Sequence, residues 1–348
     1  MENRVGDRLV SARKMAGLSL QELADKLEKK ISKQALNKYE KGILKPNSSL
    51  LIEISNKLNV PVDYFFRKQN VKLEEIKFRK KCNLKAKEIE KIKEETSDFL
   101  ERYLELEQLM NIKSTFINPL KNNNSNDVHE INKLADELRN IWKLGIDPLP
   151  EITEMFEENN IKIFEVSKEE SFDGMSTKVN GIPVIVINKN IKLLRKRFTL
   201  SHELAHLIFD LKEIDEKENE RICNTFAGAF LIPEESFKKE FGERRGHLDL
   251  KELTIIGDYY GISVQAIMAR ARFLNLITDY TYKNFNIWLS KTNNRKIEFG
   301  DYKGKEEPVR FYKLLYRGVS EGIITISKAA VLAGIKLSEF EKKFEPVV

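Results

Sequence analysis

The chain has 348 residues, 41% hydrophobic and 33% charged with both signs mixed, and a formal net charge of +6. That length calls for two or three domains, and that composition supports a packed core, which excludes a wholly disordered or fibrous chain. Its two cysteines, Cys82 and Cys223, offer no disulfide framework; with no signal-peptide core and no long apolar run, a cytoplasmic location is expected.

The charge is unevenly placed: residues 1–70 carry 14 Lys+Arg against 8 Asp+Glu, and the remainder is balanced. A basic excess confined to one end marks where an anionic partner would bind. The same stretch reads as five short helices. Val5, Leu9 and Ala12 begin the first, which ends near Gly17. Ser19-Leu-Gln-Glu22 is a capping box that opens the second, with Leu20, Leu23, Ala24 and Leu27 inward. A third runs from Ser32 to Gly42, a fourth carries Leu50, Leu51, Ile54 and Leu58, and Pro61 starts a fifth. The second and third have the helix-turn-helix layout. Lys33, Gln34 and Asn37 stand near the start of the third helix and are side chains able to read base edges, while Gln21, Ser32, Lys38 and Lys45 are phosphate candidates. The run Gly-Leu-Ser-Leu-Gln-Glu-Leu-Ala…Lys-Tyr-Glu-Lys-Gly…Lys-Pro resembles the XRE family of phage Cro/cI-type helix-turn-helix domains, which implies binding to operator DNA. A small helical adaptor with a solvated basic face is the bland alternative.

Beyond residue 70 the sequence is dense in Lys and Glu. Ile89, Ile92, Phe99, Tyr103, Leu106 and Met110, with Thr96 between, recur by threes and fours on one long helix. Such a stripe suits either a homodimer seam or docking on the following domain, and docking is expected because only about three heptads are present. Arg79-Lys-Lys81 reads as a solvated face, and Lys121-Asn-Asn-Asn-Ser-Asn126 as a linker.

From Asp127 the pattern mixes periods. Ile131, Leu134, Ala135, Leu138 and Trp142 mark a helix ending at Gly145, and Pro148-Leu-Pro150 leads into another. Ile161–Val166 alternates as a strand does. Val184–Ile187 is a short apolar strand after the Asn180-Gly181 turn. Between them lies Asp173-Gly-Met-Ser176.

Phe198-Thr-Leu-Ser-His202-Glu203-Leu-Ala-His206 follows. On a helix the two histidines lie one above the other and can reach a single Zn²⁺, while Glu203 sits beside the ion, placed to take a proton from an acidified water. Chance occurrence of the motif is the competing reading, weakened because half of the chain's four histidines fall in it. A hydrolytic zinc site needs a third protein ligand and an open position. In the acidic run Glu213–Glu220, Glu220 is the best candidate, because Glu220, Asn224 and Ala227/Gly228 share one helical face. The alternative for Glu220 is a solvated charge at a helix start.

Phe-Thr-Leu-Ser-His-Glu-Leu-Ala-His, Glu-x-x-x-Asn-x-Phe-Ala and Leu-Ile-Pro resemble the ImmA/IrrE family of zinc metallo-endopeptidases, over about Glu130–Ile277. The resemblance implies zinc ligands at His202, His206 and Glu220, a catalytic Glu203, and a protein substrate that is a transcriptional repressor or related regulator. That family usually has Ala where Cys223 stands, which reads as a packing swap. Gly174, Met175 and Ser176 are the candidates for an edge strand that pairs with extended substrate.

His247, in a loop-like Arg-Arg-Gly-His, and His129, at a helix start, read as surface histidines rather than catalytic ones. A helix–corner–helix pattern recurs around Asn59, Gly261 and Gly334. The second of these, with Arg270 and Arg272 behind it, reads as plain packing rather than another docking unit. The tail after Asn284 has alternating stretches, Phe285–Leu289 and Arg295–Phe299, and then helices, and it resembles the tail of longer ImmA/IrrE fusions.

The expected fold is α+β: an all-α helix-turn-helix domain over 1–69, a helical linker over 70–126, a zincin-like α+β metallopeptidase domain over 127–280, and a C-terminal extension over 281–348. The expected function is a DNA-binding regulator carrying a zinc-dependent hydrolase. The alternative is a non-catalytic regulator or antitoxin that uses the zincin-like domain as a sensor or interaction surface.

Overall fold

In a computed structural model of the chain, described for residues 4–28, 31–67, 71, 84–113, 115–121, 127–167, 172–211, 214–294 and 297–345, three of the first four helices begin at a side-chain cap that the sequence supplies. The N-terminal helices are α1 (Arg4–Met15), α2 (Leu20–Lys26), α3 (Lys33–Glu40) and α4 (Ser48–Leu58), followed by a 3-10 turn at Val62–Phe66 and the long α5 (Ala86–Leu109). The capping box is made in both directions: Ser19 Oγ accepts from the Glu22 amide at 3.2 Å, and the Ser19 amide donates to Glu22 at 2.6 Å. Ser32 and Asn47 cap α3 and α4 with one bond each, accepting from the Ala35 and Leu50 amides. Arg13 grips Glu40 with two bonds of 2.6 and 3.0 Å, tying α1 to α3.

The next elements are α6 (Val128–Ile141), α7 (Ile152–Glu158), β1 (Lys162–Val166), β2 (Gly174–Val179), β3 (Ile182–Asn188), α8 (Leu193–Ile208), α9 (Glu216–Leu231), α10 (Glu234–Phe241), α11 (Leu250–Tyr260), α12 (Val264–Phe273) and α13 (Asp279–Lys291). The chain closes with α14 (Arg310–Ser320), α15 (Ile326–Ala333) and α16 (Leu337–Lys343). The architecture is α+β, a helical N-terminal domain followed by a mixed region with one small sheet. Cys82, Arg79–Lys81, Asn122–Asn126 and Glu213 lie outside the described residues.

Two compact units emerge, one of Met1–Thr115, Lys178–Ile182 and Val309–Val348, the other of Phe116–Thr177 and Pro183–Pro308. In the first, Ile92, Thr96, Leu100, Tyr103 and Leu106 form the buried stripe of α5. It is covered by α1 on one part and by α14 and α15 on another. Tyr103 and Leu106 share a core with Phe311, Leu315 and Phe340. Arg8 on α1 pairs with Glu101 at 2.5 Å, and Lys14 with Glu90 at 2.8 Å. The stripe is therefore filled by neighbours of its own unit, where a dimer seam or the following domain was expected. A heptad shows that a face is apolar, not which partner covers it.

The sheet has the order β1-β3-β2, with β1 and β3 parallel, Lys162 opposite Val184 and Val166 opposite Asn188. Val184–Ile187 is buried throughout, which is why this strand reads as an unbroken apolar run. Asn180 and Gly181, both at positive φ (50° and 79°), make the two-residue turn that folds β2 back on β3. α9 packs against α6 and α8, and their apolar side chains form the main core with Phe156, Phe226 and Phe230. The stretch Phe285–Leu289 lies within α13. Its alternation is that of a helix with one covered face rather than of a strand. Among the described residues no helix is long and apolar enough to cross a membrane.

A buried ion pair fixes α8 in this unit. Arg197 and Glu306 meet at 2.5 Å with both side chains at 0% exposure. Arg197 also donates to the carbonyls of Leu149, Pro150 and Gly261. Glu306 accepts from the amides of Ile152 and Thr153, capping α7. A β-carbon at Gly261, itself at positive φ, would lie 2.4 Å from Arg197 Nε, so glycine is required there. Arg139 is anchored similarly on the carbonyls of Gly145, Asp147 and Phe230, and burial pulls its pKa down to about 10. Behind the corner at Gly261, Arg270 is buried and donates to Asn132, while Arg272 pairs with Asp279 at the surface.

Candidate metal centre and nucleic-acid interface

α8 carries His202 and His206 one turn apart. Their Nε2 atoms face each other at 3.3 Å. On α9, Glu220 directs Oε2 to within 3.9 Å of His202 Nε2 and Oε1 to within 4.0 Å of His206 Nε2. Asp215, earlier in the acidic run, is instead the N-cap of α9, and Glu218 pairs with Arg221. Helical geometry thus brings Glu220 to the histidines and turns its neighbours away.

The other nitrogen of each imidazole has its own partner. His202 Nδ1 lies 2.9 Å from Asn224 Oδ1, and His206 Nδ1 lies 3.4 Å from Cys223 Sγ. An amide oxygen can only accept, so His202 carries its proton on Nδ1 and presents a lone pair at Nε2. With the same tautomer at His206, two lone pairs and a carboxylate converge on one point in a buried setting. That arrangement is repulsive unless a cation lies between them. Two nitrogens each about 2.0–2.1 Å from one tetrahedral ion stand about 3.3–3.4 Å apart, and the observed separation is 3.3 Å. The residues therefore fit Zn²⁺.

His202, His206 and Cys223 also place one ligand atom each within 4.8 Å of one another, which offers sulfur as a rival third ligand. The contact of the sulfur is with Nδ1 of His206, on the far side of the ring from Nε2. Glu220, by contrast, faces both Nε2 atoms at once.

Glu203, 3% exposed, follows His202 directly on α8, and Ser176 Oγ donates to its Oε2 at 2.7 Å. Ser176 comes from β2, which presses closely on α8. A β-carbon on Gly174 would lie 2.9 Å from Thr199 Cγ2 and 3.1 Å from the carbonyl oxygen of Val186. Met175 is buried at 6% exposure. Ser176 and Thr177 are half-buried, and β2 is an outer strand of the sheet with a backbone edge. Ser176 was expected at a substrate edge; its contact with Glu203, 27 positions away, has no signature in local sequence. Cys223 was read as a packing position. Its spacing of three from Glu220 on one helix was the available signal. His247 is exposed in a loop, and His129 stacks on Phe273 at 5.2 Å, so neither joins the cluster.

In the N-terminal domain, Gln21, Ser32, Lys33, Gln34, Lys38 and Lys45 are exposed and Asn37 is half-buried. Lys33, Gln34, Asn37 and Lys38 all belong to α3, behind its Ser32 cap. Ser32 Oγ accepts the Ala35 amide at 3.2 Å. Gln21 donates to Asp25 at 2.8 Å.

Residues 156–272 match the family described as the IrrE N-terminal-like domain, and residues 9–65 match the helix-turn-helix family. Two curated relatives, each called an "Uncharacterized HTH-type transcriptional regulator", come from Sinorhizobium medicae (strain WSM419) and Rhizobium meliloti (strain 1021). Each is 44% identical over 62 residues, 18% of this chain. The match spans 43% of each relative's length, so it speaks for the DNA-reading part alone. The chain therefore joins an XRE-type helix-turn-helix domain to an IrrE-like domain of the peptidase M78 type.

Proposed function

We propose that this chain is an operator-binding regulator whose IrrE-like domain is a zinc-dependent endopeptidase, acting on a transcriptional repressor or related regulator of a bacterial or phage switch. The observation that carries the reading is the convergence of two imidazole Nε2 atoms 3.3 Å apart and the Glu220 carboxylate, with Glu203 beside them.

His202, His206 and Glu220 would hold Zn²⁺, which supplies Lewis acidity toward a carbonyl oxygen and lowers the pKa of water. Asn224 fixes the tautomer of His202 by accepting from Nδ1. Glu203 takes the proton from the attacking water and returns it to the leaving amine. Ser176 donates to one carboxylate oxygen of Glu203 and so orients the base. β2, an outer strand, offers backbone groups to an extended substrate, which suits a peptide over a small molecule. Gln34 and Asn37, suited to adenine, and Lys33, suited to guanine, read base edges, while Gln21, Ser32, Lys38 and Lys45 hold phosphates of double-stranded DNA.

Metal analysis of the purified chain tests the reading. About one zinc per chain is expected, lost on His202→Ala or His206→Ala, because two ligands hold the ion poorly. Glu203→Gln should keep zinc and stop cleavage of a co-expressed regulator. Wild-type protein without zinc, or a cleaving Glu203→Gln variant, contradicts it.

A further inference from the structure

Cys223 stands behind the metal-facing cluster in a way that packing does not require. Its side chain is at 0% exposure. The sulfur lies 3.4 Å from His206 Nδ1 and 3.6 Å from Asn219 Oδ1. A neutral thiol fits both contacts at once: it accepts N–H from the imidazole through a sulfur lone pair and donates S–H to the amide oxygen. The result is a short relay, His206 to Cys223 to Asn219, along one face of α9. His202 has the equivalent support one residue on, from Asn224 at 2.9 Å. Consecutive residues of one helix thus each back one of the two histidines.

The geometry points to Cys223 as the positioning residue for His206: as a neutral thiol hydrogen-bonded to Asn219, it accepts Nδ1–H and holds the Nε2 lone pair toward the metal. The inference rests on the zinc-site reading above. A histidine that ligates through one nitrogen needs the other nitrogen's proton and direction fixed, and loss of such a partner typically lowers metal affinity about 10–100-fold. Sulfur is a weak acceptor, so this histidine is held less firmly than His202, and the weaker side of the site is the one set by residue 223. No direct sulfur–metal bond is involved, because the sulfur meets the ring nitrogen turned away from Nε2.

Zinc affinity of the full chain, measured by competition with a chromogenic chelator, tests this. Cys223→Ala removes the acceptor and is expected to weaken zinc binding about tenfold or more, with the melting temperature of the metal-free protein little changed. Cys223→Ser can accept and donate in the same directions and is expected to retain affinity within a few-fold. Asn219→Ala removes the far end of the relay and should give a smaller loss. Cobalt-loaded wild-type protein should show ligand-field bands of a nitrogen and oxygen site, shifted in Cys223→Ala. Unchanged zinc affinity in Cys223→Ala overturns the assignment, as does a thiolate-to-cobalt charge-transfer band in the wild type, which would make sulfur a ligand. If wild-type protein binds neither zinc nor cobalt, the zinc-site reading itself fails, an outcome separate from either of these.

Discussion

Ser176 and Glu203 show how far one hydrogen bond can reach into the chemistry. The bond, 2.7 Å, restricts the carboxylate that serves as base in the proposed hydrolysis. Ser176→Ala removes about 1 kcal/mol of support, so turnover should fall about five- to tenfold with KM and zinc content little changed. Steady-state kinetics on a cleaved peptide, with metal analysis alongside, would show it, and a change confined to KM would instead assign Ser176 to substrate binding. Arg197 and Glu306 work through burial. Glu306→Ala would leave the Arg197 charge and two α7 amides without their acceptor, at a cost of about 3–5 kcal/mol in urea unfolding. Its exposed neighbour Glu307→Ala should cost no more than about 0.5 kcal/mol. The two histidines and Glu203 were legible because their spacing is itself the geometry. Glu220 was legible once the helical face was counted. The partners of Arg197 and Glu203 were not, since each contact joins positions that only the tertiary fold brings together.

At the scale of elements, local chemistry explains most of what the sequence disclosed. Ser19 and Ser32 announce α2 and α3, because each satisfies an amide the helix start leaves open, and the structure adds Asn47 as the cap of α4. The outer strand β2 depends on a position without a side chain. Gly174→Ala would drive a methyl group into Thr199 and the Val186 carbonyl, pushing β2 off α8. A stability loss of about 1–3 kcal/mol is expected, with weaker turnover as Ser176 withdraws from Glu203. Helix α3 makes a different kind of prediction. Gln34→Ala and Asn37→Ala should each weaken specific operator binding by about 1–3 kcal/mol and leave non-specific binding nearly intact. Lys38→Ala and Lys45→Ala should weaken both and flatten the salt dependence. Gel-shift titrations at two salt concentrations separate these cases. What the sequence left open was the partner of α5. Its apolar stripe was plain, but the helices that cover it, α14 and α15, arrive some 200 residues later.

For the whole molecule, the two compact units divide the work. The first holds the DNA-reading helix together with α5 and the C-terminal helices; the second holds the sheet, α8, α9 and the metal-facing cluster. His202→Ala in the full chain should therefore lose zinc and keep operator affinity, whereas Gln34→Ala with Asn37→Ala should do the reverse. The central claim is peptide-bond hydrolysis by the Glu203 site of a DNA-bound regulator. Its most direct measurement is a comparison of newly formed protein N-termini in cells producing the wild-type chain and cells producing Glu203→Gln at equal levels. The account predicts one or a few new termini within a transcriptional regulator, present with the wild type and absent with the variant. Identical sets of termini in the two cultures would contradict it.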